Sequence, residues 1–132
     1  MKYDYIIVGA GSAGCVIANR LSEDPSNEVL LLEAGGSDRR FFIQMPIGYG
    51  VTYHQKAVNW MYMTEPSPDA DNKPSYWPRG KVMGGSSSIN AMVYVRGNPK
   101  DFDQWSEAGN PGWSYSDVLP YFKKMESWQN GP

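Results

Sequence analysis

The chain has 132 residues, about the size of one ordinary domain, and its 41% hydrophobic and 20% charged residues are typical of soluble globular proteins. Its formal net charge of -2 excludes the basic surface that nonspecific binding to nucleic acid or anionic lipid requires. The single cysteine, Cys15, excludes an internal disulfide, and no apolar stretch approaches the roughly 20 residues of a membrane span. These features predict a cytoplasmic protein without a nucleic-acid partner or a membrane span.

The first third of the chain has the pattern of a strand, a helix and a second strand. The continuous apolar runs at residues 5–8 and 28–32 are typical of strands buried on both faces of a parallel sheet. Between them, residues 12–22 have the apolar spacing of a helix. Because parallel strands joined by a helix form a right-handed crossover, residues 1–36 are predicted to fold as a βαβ unit.

A glycine-rich motif separates the first strand from the helix: Gly9-Ala10-Gly11-Ser12-Ala13-Gly14, which fits G-x-G-x-x-G. In a dinucleotide site, Gly9 permits the tight turn, Gly11 lets a pyrophosphate approach the backbone, and Gly14 allows the helix to pack closely on the strand. The helix start at Ser12 and Ala13 offers free N–H groups to the phosphates. The alternative is a glycine-rich turn that serves packing alone.

An acidic residue follows the second strand at the position where a ribose-binding carboxylate is expected. Glu33 lies 19 residues beyond Gly14, as in dinucleotide-binding folds. A carboxylate here favours an unphosphorylated ribose, so the motif indicates FAD or NAD and does not distinguish between them.

Residues 37–83 are predicted to form an extended, ordered loop. Periodicity fades in this segment, and five prolines exclude a long regular element: Pro46, Pro66, Pro68, Pro74 and Pro78. The segment is rich in aromatic residues, which disordered segments lack, so we expect it to pack on a ligand or on protein.

The remainder, residues 84–132, is predicted to contain a turn and three short helices. A run of glycines and serines at residues 84–88 precedes an apolar segment, 89–94, that is expected to be helical. Two further helices are predicted at residues 99–108 and 117–126, each after a residue of a type that caps helices. Pro120 would lie near the first turn of the last helix, where proline is tolerated.

Several runs of this sequence resemble the glucose-methanol-choline family of flavoprotein oxidoreductases. They are residues 4–14, 31–35, 59–60, 79–97 and 113–122, of which the run from Arg79 to Asn90 is the most specific. The resemblance covers essentially the whole chain and implies an α/β fold: an incomplete Rossmann-type FAD-binding βαβ unit, followed by a long aromatic-rich loop and short helices. It also implies FAD as the cofactor and oxidation of the CH–OH group of alcohols.

The resemblance implies which residues contact FAD, because the second glycine-rich block lies along the flavin in this family. Ordinary helix capping is the alternative role for the serines of that block, and packing is the alternative for Trp60. Ile89 stands where some members carry a histidine that binds FAD covalently, so noncovalent FAD is expected. The candidate contacts are Gly9, Gly11, Ser12, Ala13, Gly14, Glu33, Ala34, Trp60, Arg79, Gly84, Gly85, Ser86, Asn90, Ala91, Met92 and Val93.

Members of this family are several hundred residues long, and their substrate domain and proton-abstracting histidine come from the carboxy-terminal part. We therefore expect that this chain has no substrate domain, no catalytic residue and no metal site, and that it meets a small-molecule alcohol only through the missing part. His54, the single histidine, has no neighbouring motif and is expected to be solvated or structural. Unpaired sheet edges favour a partner chain or self-association.

The sequence is also compatible with two alternative functions. The chain could be a noncatalytic or split FAD-binding subunit that needs a partner chain, because the expected base is missing. It could also be a fragment of an NAD-dependent dehydrogenase, which the first glycine motif alone supports and the second block opposes.

Overall fold

A computed structural model describes residues 2–127 of this chain, which is divided into two compact units, Met1–Val93 and Tyr94–Pro132. The first unit opens with β1 (Tyr5–Val8), α1 (Ser12–Leu21) and β2 (Val29–Leu32). The two strands are hydrogen-bonded in parallel, with α1 packed on both. The predicted βαβ unit and α/β class are therefore confirmed, and the three boundaries differ from the prediction by at most one residue.

The two parallel strands are much more exposed than the sequence predicted. In the parallel register Tyr5 lies opposite Val29. In the same strand, Ile6 is 60% exposed and Val8 is 83% exposed. The prediction that both faces would be buried is wrong for the described part of the chain. The reason is that these strands form a two-stranded sheet of their own, so much of their apolar surface has no further layer to pack against.

The long segment after β2 is ordered and is built of short elements, as its prolines and aromatic residues predict. Two of the prolines begin short 3₁₀ helices, where the missing N–H costs nothing. A small antiparallel hairpin follows in the second half of the segment. The elements are α2 (Phe41–Gln44), a 3₁₀ helix (Pro46–Gly48), α3 (Tyr49–Thr52), β3 (Tyr62–Met63), a 3₁₀ helix (Pro68–Ala70) and β4 (Tyr76–Trp77).

The buried core of the first unit lies between this segment and the second glycine-rich block. Val58 and Val82 are completely buried, Ile89 is nearly so, and Ile43 packs against them. A parallel bridge between Val82 and Gly36 places this core beside the chain as it leaves β2. The core therefore holds the second glycine-rich block close to the carboxyl end of the parallel strands.

The helix predicted at residues 89–94 is not formed. A 3₁₀ helix at Gly85–Ser88 precedes this segment, which then continues without regular structure. The Asn90 side chain accepts a hydrogen bond from the backbone N–H of Met92 at 2.9 Å, and Met92 adopts a left-handed φ of 57°. This local bond satisfies a backbone group in a non-helical conformation and so competes with the helix.

The second unit, as far as residue 127, contains two helices, both at the predicted places. The Asn98 side chain caps the first helix, and Ser114 caps the second in a capping box with Asp117. The second helix begins two residues earlier than predicted, which puts Pro120 inside the helix and not in its first turn. The helices are α4 (Pro99–Glu107) and α5 (Tyr115–Met125).

Aromatic packing and an ion pair hold the second unit together. The ring of Phe102 in α4 meets the ring of Phe122 in α5 edge-on, with 5.7 Å between their centroids. Arg96, before α4, forms an ion pair with Glu126, just after α5. The hydrogen bond to Glu126 raises the pKa of the Arg96 guanidinium above its usual value. Throughout residues 2–127, no helix has the length and apolar character needed to cross a membrane.

Candidate functional site

Two positions in the turn between β1 and α1 require glycine. Gly9 has a φ of +97°, a backbone conformation that residues with a Cβ rarely adopt. A Cβ on Gly14 would collide with the carbonyl oxygen of Gly9, so glycine is also required where α1 passes the turn. The chain therefore enters α1 immediately beyond the end of the strand.

Gly11 differs from these two glycines because nothing in the part of the chain that the structure describes requires a glycine there. Its φ of -78° is available to any residue, and a Cβ built on it meets no atom within 4 Å. It is the N-cap of α1, which has no side-chain cap and no acidic residue in its first turn. A helix start of this kind presents N–H donors and a positive dipole end to open space, which suits a phosphate.

The carboxylate of Glu33 joins the glycine-rich turn to the chain that leaves β2. Oε2 accepts a hydrogen bond from the buried N–H of Ala10, and Oε1 accepts one from Gly35, both at 2.8 Å. A carboxylate oxygen accepts two hydrogen bonds, so each oxygen still has one acceptor position. Glu33 thus builds the turn and retains the capacity to bind a hydroxyl.

The second glycine-rich block packs directly on the first. The N–H of Gly84 donates to the carbonyl oxygen of Ala10 at 2.8 Å. A Cβ on Gly85 would lie 2.9 Å from the Cα of Gly11, and Gly85 has a positive φ of +59°. The two blocks are distant in sequence, yet they form one continuous surface of small residues.

Aromatic rings and cations form the side of this surface that comes from the hairpin segment. The rings of Trp60 and Tyr62 are stacked, with centroids 5.9 Å apart and planes inclined by 5°. The Lys81 ammonium lies 4.5 Å from the centroid of the Trp60 ring, and the Arg79 guanidinium lies 4.8 Å from that of Trp77. Flat rings beside cations suit a ligand that combines an aromatic base with anionic groups.

These surfaces enclose an open cavity of about 610 Å³ at the carboxyl ends of β1 and β2. A crevice at this edge of a parallel sheet is the usual ligand site of such folds. The structure brings together here Gly9, Gly11, Glu33, Ala34, Trp60, Arg79, Gly85 and Ser86 from the predicted contacts.

The other predicted contacts lie around this cavity or away from it. Ser12 and Ala13 begin α1. Gly14 lies against the Gly9 carbonyl oxygen, and Gly84 donates to the Ala10 carbonyl oxygen. Ala91 and Val93 are exposed. Asn90 and Met92 line a smaller cavity of about 120 Å³, together with Phe42, Ile43, Met45, Pro46, Tyr49, Ser87 and Ser88.

Four residues line the main cavity without having been predicted. Val8 and Leu32 are the last residues of the two parallel strands. Their position in the sequence could have predicted a place in the cavity, because ligands bind at the carboxyl ends of parallel strands. Tyr62 is two residues from Trp60, but Met61 between them has a left-handed φ of 56°, so the alternation of an extended strand did not indicate that the two rings would stack. Gly80 is required by a close approach, since a Cβ there would collide with the carbonyl oxygen of Gly85.

His54 does not line this cavity. Its ring is stacked on that of Tyr76, with 5.6 Å between centroids and 13° between planes, and the residue is exposed. Among the residues that the structure describes, no three His, Cys, Asp or Glu side chains are grouped so that they could hold a metal ion.

Comparison with known proteins agrees with this geometry. The chain is similar to the oxygen-dependent choline dehydrogenase of Vibrio vulnificus (strain YJ016), with 56% identity over 129 residues, which are 98% of this chain and 23% of that protein. Its structure is similar to that of a pyridoxine 4-oxidase from Mesorbium loti, with a TM-score of 0.82 and 40% identity over 92% of this chain and 24% of the other.

A formate oxidase of Aspergillus oryzae, studied for the modification of its FAD, is a further structural neighbour. The TM-score is 0.78 and the identity 36%, over 90% of this chain and 21% of that enzyme. This chain therefore spans less than a quarter of the length of each of these three proteins.

A family model described as GMC oxidoreductase matches residues 3–130, almost the whole chain. The match confirms the resemblance seen in the sequence, and with it the assignment to a family of FAD-dependent oxidoreductases. The chain belongs to the GMC oxidoreductase family.

Proposed function

We propose that this chain is the FAD-binding part of an enzyme that oxidises the CH–OH group of an alcohol, with FAD bound noncovalently in the main cavity. When bound, FAD supplies the flavin ring that accepts a hydride from the alcohol. The observation that carries the proposal is the open space at Gly11, in front of the uncapped start of α1. Glycine at this position is unnecessary for the fold, and it keeps that space free for a ligand.

The residues around the cavity fit the parts of a dinucleotide. Backbone N–H groups at Gly11 and the start of α1 suit the pyrophosphate, and the free acceptor positions of Glu33 suit the ribose hydroxyls. Trp60 and Tyr62 present flat rings to the adenine, and Arg79 brings a positive charge to the same cavity. Each group thus has a counterpart of matching chemistry among the residues present.

The second glycine-rich block is proposed to continue this site toward the flavin. Gly85 and Ser86 line the main cavity, while Asn90 and Met92 line the smaller one. Noncovalent binding is supported by Ile89, which is packed in the hydrophobic core and has no nucleophilic atom. This arrangement makes the residues from 84 to 93 the proposed flavin-side wall.

The substrate and the proton-abstracting base are proposed to come from outside this chain. The curated relatives include an oxygen-dependent choline dehydrogenase about four times longer than this chain's matched segment, so choline is the first alcohol to test. We place the base and most substrate contacts in the part of the protein that such relatives have in addition. The cytoplasmic location inferred from the composition stays a prediction.

A noncatalytic or split FAD-binding subunit is the second candidate function. It is favoured by the exposed apolar surface of β1 outside the cavity, where Ile6 is 60% exposed, because such a surface suits a covering partner. The NAD-dependent dehydrogenase has weaker support, since the second glycine-rich block and the family match both favour a flavoprotein.

FAD binding by the purified 132-residue chain tests the proposal. We expect a yellow protein whose FAD is released on denaturation, and a measurable dissociation constant by calorimetry. Gly11→Val should weaken FAD binding by about tenfold or more, because the side chain would occupy the space of the pyrophosphate.

Gly50→Val is the matched control for this substitution. Gly50 lies in α3, and a Cβ there also meets no atom within 4 Å, but the residue does not line the cavity. It should therefore leave FAD affinity unchanged. Equal FAD affinity of Gly11→Val and the parent chain would remove the main support for the site.

A further inference from the structure

We propose that Asn59 is a positioning residue for the nucleobase end of the FAD cavity, acting through Trp60 and Arg79. The inference rests on the proposed function, because it assigns the fixed aromatic wall to the adenine part of FAD. Asn59 itself does not line the cavity. Its role is to determine where the residues that do line it are held.

The Asn59 side chain is buried and uses its full hydrogen-bonding capacity. The residue is 1% exposed. Its Nδ2 donates to the Tyr53 carbonyl oxygen at 2.8 Å and to the Tyr76 hydroxyl at 3.2 Å. Its Oδ1 accepts from the N–H of Met61 and the N–H of Arg79, both at 2.9 Å. A carboxamide has two donor hydrogens and two acceptor positions, and all four are used here.

The acceptor half of Asn59 joins the two chain segments that carry the cavity residues. Oδ1 is bonded to the residue after Trp60 and to Arg79 on the other segment. The N–H of Trp60 also donates to the Arg79 carbonyl oxygen at 2.8 Å, next to an antiparallel bridge between Asn59 and Gly80. One side-chain oxygen thus holds Trp60 and Arg79 in register.

The backbone at Met61 shows that this register needs support. Met61 has a left-handed φ of 56°, which is unfavourable for a residue with a Cβ. The hydrogen bond from its own N–H to Asn59 stabilises that conformation, as in the local turns that asparagine side chains form. The sharp change of direction separates Trp60 from β3 and therefore sets the backbone position from which the indole side chain extends.

The donor half ties this junction to a third segment. The Tyr53 carbonyl oxygen accepts from Asn59 and also from the Tyr76 hydroxyl, at 2.6 Å. Tyr76 stacks on His54 and belongs to β4. Asn59 is therefore the point where the end of α3, the start of the hairpin and its return strand are all hydrogen-bonded together.

Trp60 depends on this backbone junction because its ring is only partly enclosed. The residue is 41% exposed, with Tyr62 and the Lys81 ammonium against its ring. Because few side chains enclose the ring, its position depends strongly on the backbone that carries it. Loss of the Asn59 oxygen would also leave the N–H groups of Met61 and Arg79 without their acceptor, which favours a rearrangement of both residues.

The test compares three variants with the parent chain. Asn59→Leu has the same branched shape, although a larger volume, and removes all four hydrogen bonds. Asn59→Asp keeps the two acceptor bonds and, with its carboxyl group protonated, can still donate to the Tyr53 carbonyl oxygen. Thr52→Val is the control: Thr52 is also completely buried in the first unit, but its hydroxyl donates only to the Tyr49 carbonyl oxygen, outside the cavity. All measurements are made at a temperature at which each variant is folded.

Two readouts separate positioning from general stability. The first is the dissociation constant for ADP, the part of FAD without the flavin, by calorimetry. The second needs no ligand: it is the near-ultraviolet circular dichroism contributed by Trp60, obtained as the difference between each protein and its Trp60→Phe counterpart. The stacked Trp60 and Tyr62 rings should produce a distinct signal in the parent chain.

Asn59→Leu should weaken ADP binding by about tenfold, as expected when a site loses a group held by buried hydrogen bonds, and should abolish the Trp60 signal. Asn59→Asp should retain the signal and bind ADP within about threefold of the parent. Thr52→Val should change neither. If Asn59→Leu does not fold, Asn59→Ser, whose hydroxyl is too short to reach both N–H groups, takes its place.

Retention of both the Trp60 signal and the ADP affinity in Asn59→Leu would overturn the inference, as would equal losses in Thr52→Val. Loss of the signal in Asn59→Asp to the same extent as in Asn59→Leu would contradict the role of the acceptor half. If the parent chain binds no ADP, the proposed function fails at this cavity, while the Trp60 signal still decides whether Asn59 positions the ring.

Discussion

The N–H of Ala10 donates a hydrogen bond of 2.8 Å to the carboxylate of Glu33, and this bond closes the glycine-rich turn onto the end of β2. The other oxygen of the same carboxylate accepts from Gly35. Ala10 is completely buried, so its N–H has no water to replace this partner. Glu33 therefore contributes to the folded structure as well as to the proposed ribose site.

Substitution of Glu33 should weaken FAD binding and also lower stability. Glu33→Ala leaves the Ala10 N–H unpaired, a cost of about 1–3 kcal/mol in the free energy of unfolding, and removes the acceptor for the ribose, which should reduce FAD affinity about tenfold or more. Glu33→Gln should be intermediate in stability, because its amide NH₂ group would face a backbone N–H, which is also a donor. Urea unfolding and FAD titration measure the two effects, with the exposed Glu65→Gln as control. FAD binding as tight in Glu33→Ala as in the parent would assign the ribose to another residue.

Two alanine substitutions in the glycine motif should separate folding from binding. Gly14→Ala places a Cβ against the Gly9 carbonyl oxygen, so the backbone must shift, and we expect a loss of about 1–3 kcal/mol in the free energy of unfolding. Gly11→Ala meets no protein atom and should change stability by less than about 0.5 kcal/mol. Urea denaturation of both variants checks this difference. Equal destabilisation would show that Gly11 also serves packing.

Gly85→Ala should separate the two glycine-rich blocks. The new Cβ would lie 2.9 Å from the Cα of Gly11, at a position with positive φ, so strain and a displaced cavity wall are both expected. Gly109→Ala is the matched control, because Gly109 also has a positive φ but open space around it, and it lies in the second unit. Both variants should lose about 1–2 kcal/mol of stability from the backbone conformation. Only Gly85→Ala should weaken FAD binding in a calorimetric titration; an equal affinity of the two variants would contradict the shared surface.

The contribution of the α5 capping box to stability should be measurable. Ser114→Ala removes the acceptor for the Asp117 N–H and with it half of the reciprocal cap. The free energy of unfolding should fall by about 1 kcal/mol. Ser114→Thr keeps the hydroxyl and should be close to the parent chain. Thermal unfolding followed by circular dichroism compares the three proteins. FAD affinity should be the same in all of them, since these residues do not line the cavity.

The 132-residue chain should not oxidise alcohols by itself. A positioned base typically contributes about 10² to 10⁴ to the rate of such a reaction, and the single histidine, His54, is stacked on Tyr76 outside the main cavity. Anaerobic incubation of the FAD-loaded chain with choline should therefore reduce FAD no faster than free flavin is reduced. His54→Ala should behave in the same way. Choline-dependent reduction that His54→Ala abolishes would identify His54 as the base.

Much of this protein follows from local sequence patterns. The runs at 5–8 and 28–32, the helical spacing between them and the glycine motif determine the βαβ unit, because each depends on residues that are neighbours along the chain. The position of Glu33 follows in the same way, since the carboxyl end of β2 must lie beside the turn after β1. The caps of α4 and α5 could also be predicted from the sequence, because a cap involves residues only two or three positions apart.

The tertiary structure alone decided how distant segments meet. The contact of Gly85 with Gly11, the place of Tyr62 in the cavity and the junction at Asn59 join residues from separate segments, and no periodicity encodes them. The exposed faces of β1 and β2 were mispredicted for the same reason: an apolar run shows that a strand is suited to burial, but only the arrangement of other layers decides whether it is covered. Contacts of this kind depend on the relative position of whole elements in space, which the local chemistry of a segment does not determine.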